Sequence, residues 1–325
     1  MKYEEIVNRY IESLPYDRKP RELYEPIKYV LSMGGKRIRP VLMLMAYSIY
    51  RDNPETILPE AVALETYHNF TLLHDDLMDN ADVRRGKPTV HKKWDANTAI
   101  LSGDTMLVLA FKRMMEKCPA DKLGEVLNTF TVTALEIDEG QQYDIDFETR
   151  NDVREEESIE MIRLKTSVLL ACAMKIGAIL ADAPAGDAEK LYHFGEQIGL
   201  AFQLQDDLLD VYGDPKVFGK TIGGDILCNK KTFMLINAFN RADEATRKEL
   251  NQWISISEQL AGDKALEKIN AVTGIYNRLG IRELCEDKIN SYFAEAESTL
   301  ESLNVAEEKK VALRSYMNEL LHRNK

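Results

Sequence analysis

Cysteine is scarce and scattered in this chain: Cys118, Cys172, Cys228 and Cys285 are widely spaced and form no CxxC pair. That argues against a dense disulfide framework and against structural zinc. A reducing, cytoplasmic setting is expected. Excess basic charge is lacking too. The formal net charge is -12, so no nucleic-acid partner is expected, because phosphate contact along a duplex needs a basic face. A small anionic substrate would need a local cluster of Lys and Arg working against the global field. Long apolar runs are also missing. The greasiest stretch, Val168 to Ala181, is 14 residues long and contains Lys175. It is too short to span a bilayer and reads as a buried helix. The opening Met1-Lys2-Tyr3-Glu4-Glu5 is acidic and has no apolar core, so a secretory signal is not expected.

Strand-like alternation bounded by hairpin turns is absent, and no repeat of helical arrays recurs. What is present is helical. Glu, Lys, Leu, Ala and Met are abundant, and apolar residues return at three- and four-residue spacing. Pro40 and Pro59 suit first helical turns. Asp121 is a candidate cap for a helix from Lys122 to Glu139, and Met161 to Leu180, Leu191 to Leu209 and Lys231 to Arg241 are further helices. No Pro-, Gly- or Ser-rich linker divides the chain, so residues 1–325 read as a single all-α domain. Breaks fall at Ser32 to Gly35, Asn80 to Thr89, Ala183 to Gly186 and Tyr212 to Gly224. All but the Ala183 break carry basic residues at or beside a glycine. Such loops expose backbone N–H groups beside cationic side chains, which suits anions.

The sharpest feature is Asp75-Asp76-Leu77-Met78-Asp79, repeated far away as Asp206-Asp207-Leu208-Leu209-Asp210. In each copy the first and last Asp are one helical turn, ~6 Å, apart on one face. Each copy ends an apolar helical run. Carboxylates there oppose the macrodipole and repel each other. Something cationic should offset this at both places. Magnesium is the natural candidate, being hard and often bound by one or two carboxylates plus substrate phosphates. Taken singly, either motif reads equally well as a solvated helix end.

Basic groups follow both clusters. Arg84-Arg85-Gly86-Lys87 comes after the first. Lys216, Gly219-Lys220, Gly223-Gly224 and Lys230-Lys231 come after the second, and Gly34-Gly35-Lys36-Arg37-Ile38-Arg39-Pro40 lies near the N-terminus. Arg forks and Lys point charges suit phosphate. Each cluster alone is a plausible solvated turn. Their placement beside the acidic helix ends favours a diphosphate site. Lys165-Thr166, inside an apolar helix, either snorkels to the surface or points into a polar cavity. Gln203, just before Asp206, is ambiguous in the same way.

With these motifs in this order, the chain resembles the trans-isoprenyl diphosphate synthases, the polyprenyl synthetase family, from Gly34 to at least Lys231. Gly35 to Pro40, His74 to Asp79, Arg84 to Thr89, Gly140-Gln141-Gln142, Lys165-Thr166, Phe202 to Asp210 and Gly219-Lys220 carry the likeness. The resemblance implies an all-α helical bundle of the isoprenoid synthase type around a deep central cavity, acting as a homodimer. It implies that Asp75, Asp79 and Asp206 hold magnesium, up to about three ions, with Asp76 and Asp210 in support. Arg84, Lys165, Thr166, Gln203, Lys220 and Lys230 would bind an allylic diphosphate. Lys36, Arg39, His68 and Arg85 would bind isopentenyl diphosphate. His68 lies seven residues before Asp75, on the same ideal helix face.

The implied reaction is a head-to-tail condensation. The allylic diphosphate ionises, the double bond of isopentenyl diphosphate attacks the cation, and a proton is lost. The catalytic residues would be Asp75, Asp79, Arg84, Lys165, Asp206 and Lys220, stabilising charge on the leaving group. Phe70 and Thr71, five and four residues before Asp75, stand where related enzymes set product length. One bulky residue there points to a twenty-carbon product, geranylgeranyl diphosphate, with fifteen-carbon farnesyl diphosphate close behind. A terpene cyclase, a head-to-head condensing enzyme and a regulatory prenyltransferase subunit share parts of the pattern. So does a di-iron bundle, through Glu65-xx-His68 and Glu319-xx-His322.

Overall fold

Apolar periodicity becomes helix almost everywhere in the computed structural model, which describes residues 3–214, 222–256 and 260–321. The chain divides into two compact units. The first comprises Met1–Thr131, Cys172–Tyr192 and Asn304–Lys310; the second comprises Val132–Ala171, His193–Leu303 and Val311–Lys325.

In the first unit lie α1 (Tyr3–Glu12), α2 (Arg21–Leu31), α3 (Ile38–Tyr50), a 3-10 turn (Pro54–Ile57) and α4 (Leu58–Met78). A hairpin of β1 (Val83–Arg84) and β2 (Lys87–Pro88), α5 (Val90–Lys93) and α6 (Ala96–Glu116) follow. The unit is built around α4, which packs mainly along α6 and also meets α1, α2 and α3. Every residue from Leu58 to Tyr67 is buried, whereas the helix's last turns are open on one side. A helix enclosed on all sides needs no polar face, so the site-bearing end is held by a stem with no exposed surface.

Where α3 begins, Arg37 adopts a left-handed backbone, φ 48°. Its guanidinium is buried and each of its three nitrogens donates a hydrogen bond. It donates to Glu65 Oε1 at 2.6 Å, to the Leu31 carbonyl at 2.7 Å and to Asn8 Oδ1 at 3.0 Å. Glu65 Oε1 also accepts from Asn69 Nδ2 at 3.0 Å. The carboxylate considered above as an iron ligand is therefore committed to an ion pair between α4 and the entry to α3.

The second unit takes up α7 (Leu123–Thr149) partway along, then α8 (Glu155–Ile162), a π turn (Arg163–Ser167) and α9 (Val168–Leu180). Next come α10 (Ala185–Tyr212), α11 (Gly224–Leu227), α12 (Phe233–Arg241) and α13 (Glu244–Ile254), followed by α14 (Asp263–Leu279), α15 (Ile281–Glu301) and α16 (Glu307–Leu321). The division between the units falls within α7, α9, α10 and α16.

Several boundaries differ from the sequence expectation. The helix expected to end at Glu139 runs to Thr149. The one expected from Leu191 to Leu209 spans Ala185–Tyr212. The helix expected from Lys231 starts at Phe233, because Thr232 Oγ1 caps it by accepting from Leu235 N at 3.3 Å. A strand pair exists after all, but two residues per strand are too few to register as alternation. The expected continuous helix from Met161 to Leu180 is broken by the π turn. Close backbone approaches flank that turn. A Cβ on Gly140 would lie 2.4 Å from Lys165 N, and one on Gly199 would lie 2.5 Å from Ser167 Cα. Only glycine lets α7 and α10 come that near. Among the described residues, no helix is long and apolar enough to cross a membrane.

Two stability measurements follow. Arg37→Met leaves Glu65 charged and unpaired in the interior, so it should cost ~3–5 kcal/mol in urea unfolding. The double variant with Glu65→Met should recover most of that loss; a single-variant cost below ~1 kcal/mol would remove the pair as an anchor. Glu60 is buried on α4 with Oε2 unpartnered, and burial raises its carboxyl to about 7. A carboxyl raised on folding binds its proton more tightly in the native state. Stability it supplies at low pH is therefore lost between its ordinary value and about 7. Glu60→Gln should leave the melting temperature unchanged at acidic pH and raise it at pH above ~8.

Candidate functional site

In the first unit the chemistry gathers where α4 ends. Asp79 N donates to Asp75 O at 2.8 Å, which carries the helical turn through the motif and stacks the two carboxylates one turn apart. Asp75 is half-buried and Asp79 is exposed. Asp76 turns inward: it is buried, and Arg84 Nε sits 2.8 and 2.9 Å from its two carboxylate oxygens. Burial raises the Asp76 carboxyl and Arg84 opposes that rise. Asp76 thus anchors Arg84 rather than facing outward with its neighbours.

The hairpin that follows is tied back to α4 and to itself. Ala81 N donates to Asp76 O at 2.9 Å, and Thr89 Oγ1 donates to Ala81 O at 2.7 Å. Arg85 and Gly86 form its tip with φ 53° and 72°, the left-handed pair that a tight two-residue hairpin requires. Arg85 reaches the Gly34 carbonyl. A Cβ on Gly35, φ 129°, would lie 2.9 Å from the Arg85 guanidinium, so glycine there leaves room for it.

Beside them, Arg39 Nε is buried without a hydrogen-bond partner. Burial pulls this guanidinium down to about 10, with Glu65 opposing and Arg85 adding to the effect. His68 is half-buried in the same field. Burial, then Arg39, Arg85, Arg84 and Arg37, hold its imidazole well below the usual histidine range, so it is neutral at pH 7. Like charges crowded around an unpartnered donor suit an anion. Lys36 is exposed on the adjoining loop.

Along α4 below this pocket runs an aromatic ladder. Phe70 lies 4.8 Å from the His74 ring and 5.5 Å from Tyr67. Tyr67 lies 5.3 Å from Phe130, which lies 4.7 Å from Phe111. Thr71 Oγ1 donates to the His68 carbonyl at 2.9 Å. Phe70 is half-buried, unlike the fully enclosed Tyr67.

The second unit holds a carboxylate-rich network at the end of α10. Gln203 links its neighbours: its Nε2 donates to Asp207 Oδ1 at 2.8 Å, and its Oε1 accepts from Thr166 Oγ1 at 3.3 Å. Burial pushes Asp207 up to about 7 against the pull of Lys230. Asp210 Oδ2 accepts from Asp225 N at 2.9 Å, fastening the start of α11. Lys165, on the π turn, pairs with Asp144. This answers the snorkelling question: the ammonium meets a carboxylate on α7. Lys230 lies 3.7 Å from Asp225 Oδ1. Burial pulls its ammonium down, but Asp207, Asp225, Asp144 and Asp206 outweigh that and raise it. Lys231 turns elsewhere, to Asn151 Oδ1 at 2.8 Å. Lys216, Gly219 and Lys220 lie outside the described residues, as do His322 and the Arg323-Asn324-Lys325 tail.

Each Asp cluster fits magnesium by its donor set: hard carboxylate oxygens one turn apart at a helix end, where the macrodipole and mutual repulsion call for a cation. Among the described residues no three His, Cys, Asp or Glu side chains converge as a ready metal cage. Magnesium held by one or two carboxylates ordinarily keeps positions for phosphate and water.

Sequence reasoning gave no role to Arg37, Asp144 or Asp225. Asp144 follows Gly140 by one turn, so helical spacing placed it on the face that meets Lys165. Arg37 carried no separate signal because Glu65 lies 28 residues away on another helix, and Asp225 carried none because a turn, not a helix face, brings it to Lys230 and Asp210.

Residues 20–272 match the polyprenyl synthetase family. The chain is 39% identical over 304 residues to the geranylgeranyl diphosphate synthase of Methanosarcina mazei, covering 93% of this chain and 90% of that one. A geranylgeranyl pyrophosphate synthase of known crystal structure is 41% identical over the full length of both chains, with a TM-score of 0.92. The Corynebacterium glutamicum geranylgeranyl pyrophosphate synthase, solved with isoprenyl diphosphate and magnesium, is 27% identical with a TM-score of 0.87, covering 99% of each chain. Those neighbours share the all-α isoprenoid synthase fold. The chain therefore belongs to the polyprenyl synthetase family and is a prenyltransferase of the short-chain prenyl diphosphate synthase type.

Proposed function

We propose that the chain makes geranylgeranyl diphosphate by adding isopentenyl diphosphate head to tail to allylic diphosphates. The observation that carries this reading is the presence of two chemically different sites in one chain. A cationic pocket with an unpartnered Arg39 Nε adjoins Asp75 and Asp79, and a carboxylate-rich site with Lys165 and Lys230 adjoins Asp206. A terpene cyclase or a head-to-head enzyme has no use for the first pocket.

In this reading Asp75, Asp79 and Asp206 hold magnesium. Asp76 supports them by holding Arg84, and Asp210 by fastening the turn at Asp225. Bound there, the metal would supply positive charge to the leaving diphosphate. The protein's own part is to bind, orient and exclude water. Lys36, Arg39 and Arg85 hold isopentenyl diphosphate, and neutral His68 donates one N–H to it without adding charge. Arg84, Lys165, Thr166, Gln203, Lys220 and Lys230 hold the allylic diphosphate, and its departing oxygens accept the proton lost after attack. An apolar cavity shields the cation from water, with Phe70 as the limit to chain growth. Residues 1–325 act as one catalytic domain, in a cytoplasmic homodimer. Leu101, Val108 and Met115 support the dimer. They recur at seven-residue spacing along α6 and are 59%, 66% and 44% exposed, an apolar stripe suited to a helix partner.

The direct test supplies labelled isopentenyl diphosphate, magnesium and five-, ten- or fifteen-carbon starters, then sizes the dephosphorylated products. Label in a twenty-carbon alcohol is expected, and chelation should abolish it. Product formed from an allylic diphosphate alone would overturn the reading. Asp206→Ala should lower turnover by ~10²–10³-fold or more, the loss typical of one charge-stabilising group. Phe70→Ala should lengthen the products, and an unchanged size distribution would rule Phe70 out as the limit.

A further inference from the structure

Lys268 is 1% exposed, yet no carboxylate is among its partners. Its ammonium donates to Asn229 Oδ1 at 2.6 Å and approaches the Leu227 carbonyl at 3.4 Å. Burying an ammonium against neutral acceptors alone is unfavourable, and burial does pull this one below the ordinary lysine range. A methionine would fill the same space without that cost, so the fold alone does not explain a lysine here.

Its partners indicate a purpose. Leu227 ends α11, and its carbonyl is one of the groups a helix end leaves unsatisfied. Asn229 is left-handed, φ 56°, a backbone state asparagine tolerates better than most residues. Asn229 Nδ2 also donates to the Ile256 carbonyl at 3.2 Å. The next residue is Lys230, whose N–H donates to Asp225 O at 2.9 Å and whose ammonium faces Asp207, Asp225, Asp144 and Asp206. The neighbour of Lys268, Ile269, secures the other end of the same turn. A Cβ on Gly223, φ 83°, would lie 2.6 Å from Ile269 Cδ1, and Gly223 N donates to Asp210 O at 2.6 Å. Two adjacent residues of α14 therefore bracket the turn from Gly223 to Asn229, just before Lys230.

We propose that Lys268 is a positioning residue for the condensation: through Asn229 it fixes the turn that aims Lys230 at the allylic diphosphate. Lys268 touches no substrate itself. The inference rests on the reading of Lys230 given above, and it adds a residue of α14 that none of the recognised motifs contains.

The test is a double-mutant cycle on the full chain with Lys268→Met, Lys230→Met and the pair. Lys268→Met should lower kcat/KM for the allylic diphosphate by about tenfold or more, with KM for isopentenyl diphosphate within about twofold of the parent. In the Lys230→Met background the same change should cost less than about twofold, because its target is gone. Asn229→Gly keeps the left-handed turn accessible but removes the acceptor, and it should reproduce the Lys268→Met pattern. Equal losses in both backgrounds, a parent-like Lys268→Met, or failure of both Lys268→Met and Asn229→Gly to fold would each overturn the positioning role. A fully active Lys230→Met would instead overturn the reading of Lys230, and the inference with it.

Discussion

A buried ion pair, Arg37 with Glu65, underlies the first unit's chemistry. The α2–α3 loop, with Gly34, Gly35 and Lys36, is pinned from inside by a guanidinium that spends its donors on α4, α2 and α1. Held this way, the loop presents the Gly34 carbonyl to Arg85 and keeps Arg39 beside His68. The cationic pocket is thus assembled around a neutralised core. Without the Glu65 charge, Arg37, Arg39 and Arg85 would face one another with only Asp76, already held by Arg84, as a protein counter-charge. The pair tolerates desolvation because both partners make further hydrogen bonds, the condition under which buried charges are stable.

The second unit solves the opposite problem. There the carboxylates are in excess and cations are the counterweight. Lys165 and Lys230 are each held by an aspartate from a different element, Asp144 on α7 and Asp225 on α11. Gln203 bridges Asp207 to Thr166, so the end of α10 and the π turn share one hydrogen-bonded network. Groups preset in this manner need little reorganisation as charge develops on a substrate, which is where enzymes gain most.

Much of this was legible in the sequence, and the limits of that legibility have physical causes. The Asp motifs were readable because one-turn spacing on a helix is a local rule, and Asp79 N to Asp75 O obeys it. Helix content was readable from periodicity for the same reason. Arg37 was not: it stands inside a motif rich in cations, and nothing local says that it turns inward while Arg39 keeps a donor free. Asp76 and Asp210 look like their neighbours in the motif but are occupied by Arg84 and by Asp225 N. Those assignments depend on partners supplied by a hairpin and a turn whose paths follow from tertiary contacts.

The π turn at Arg163–Ser167 has a consequence for reading the sequence itself. A π turn takes in one residue more than an α turn, so the helix beyond it is rotated by ~100° relative to an unbroken count. The apolar phase of α9 therefore cannot be extrapolated from α8: Met161 and Val168 do not share the face that seven-residue spacing would suggest. Any comparison of sequences by helical position across Lys165 must skip one place, and a single-residue deletion there would close the π turn to an α turn and leave the buried side chains of α9 facing the neighbours they already have.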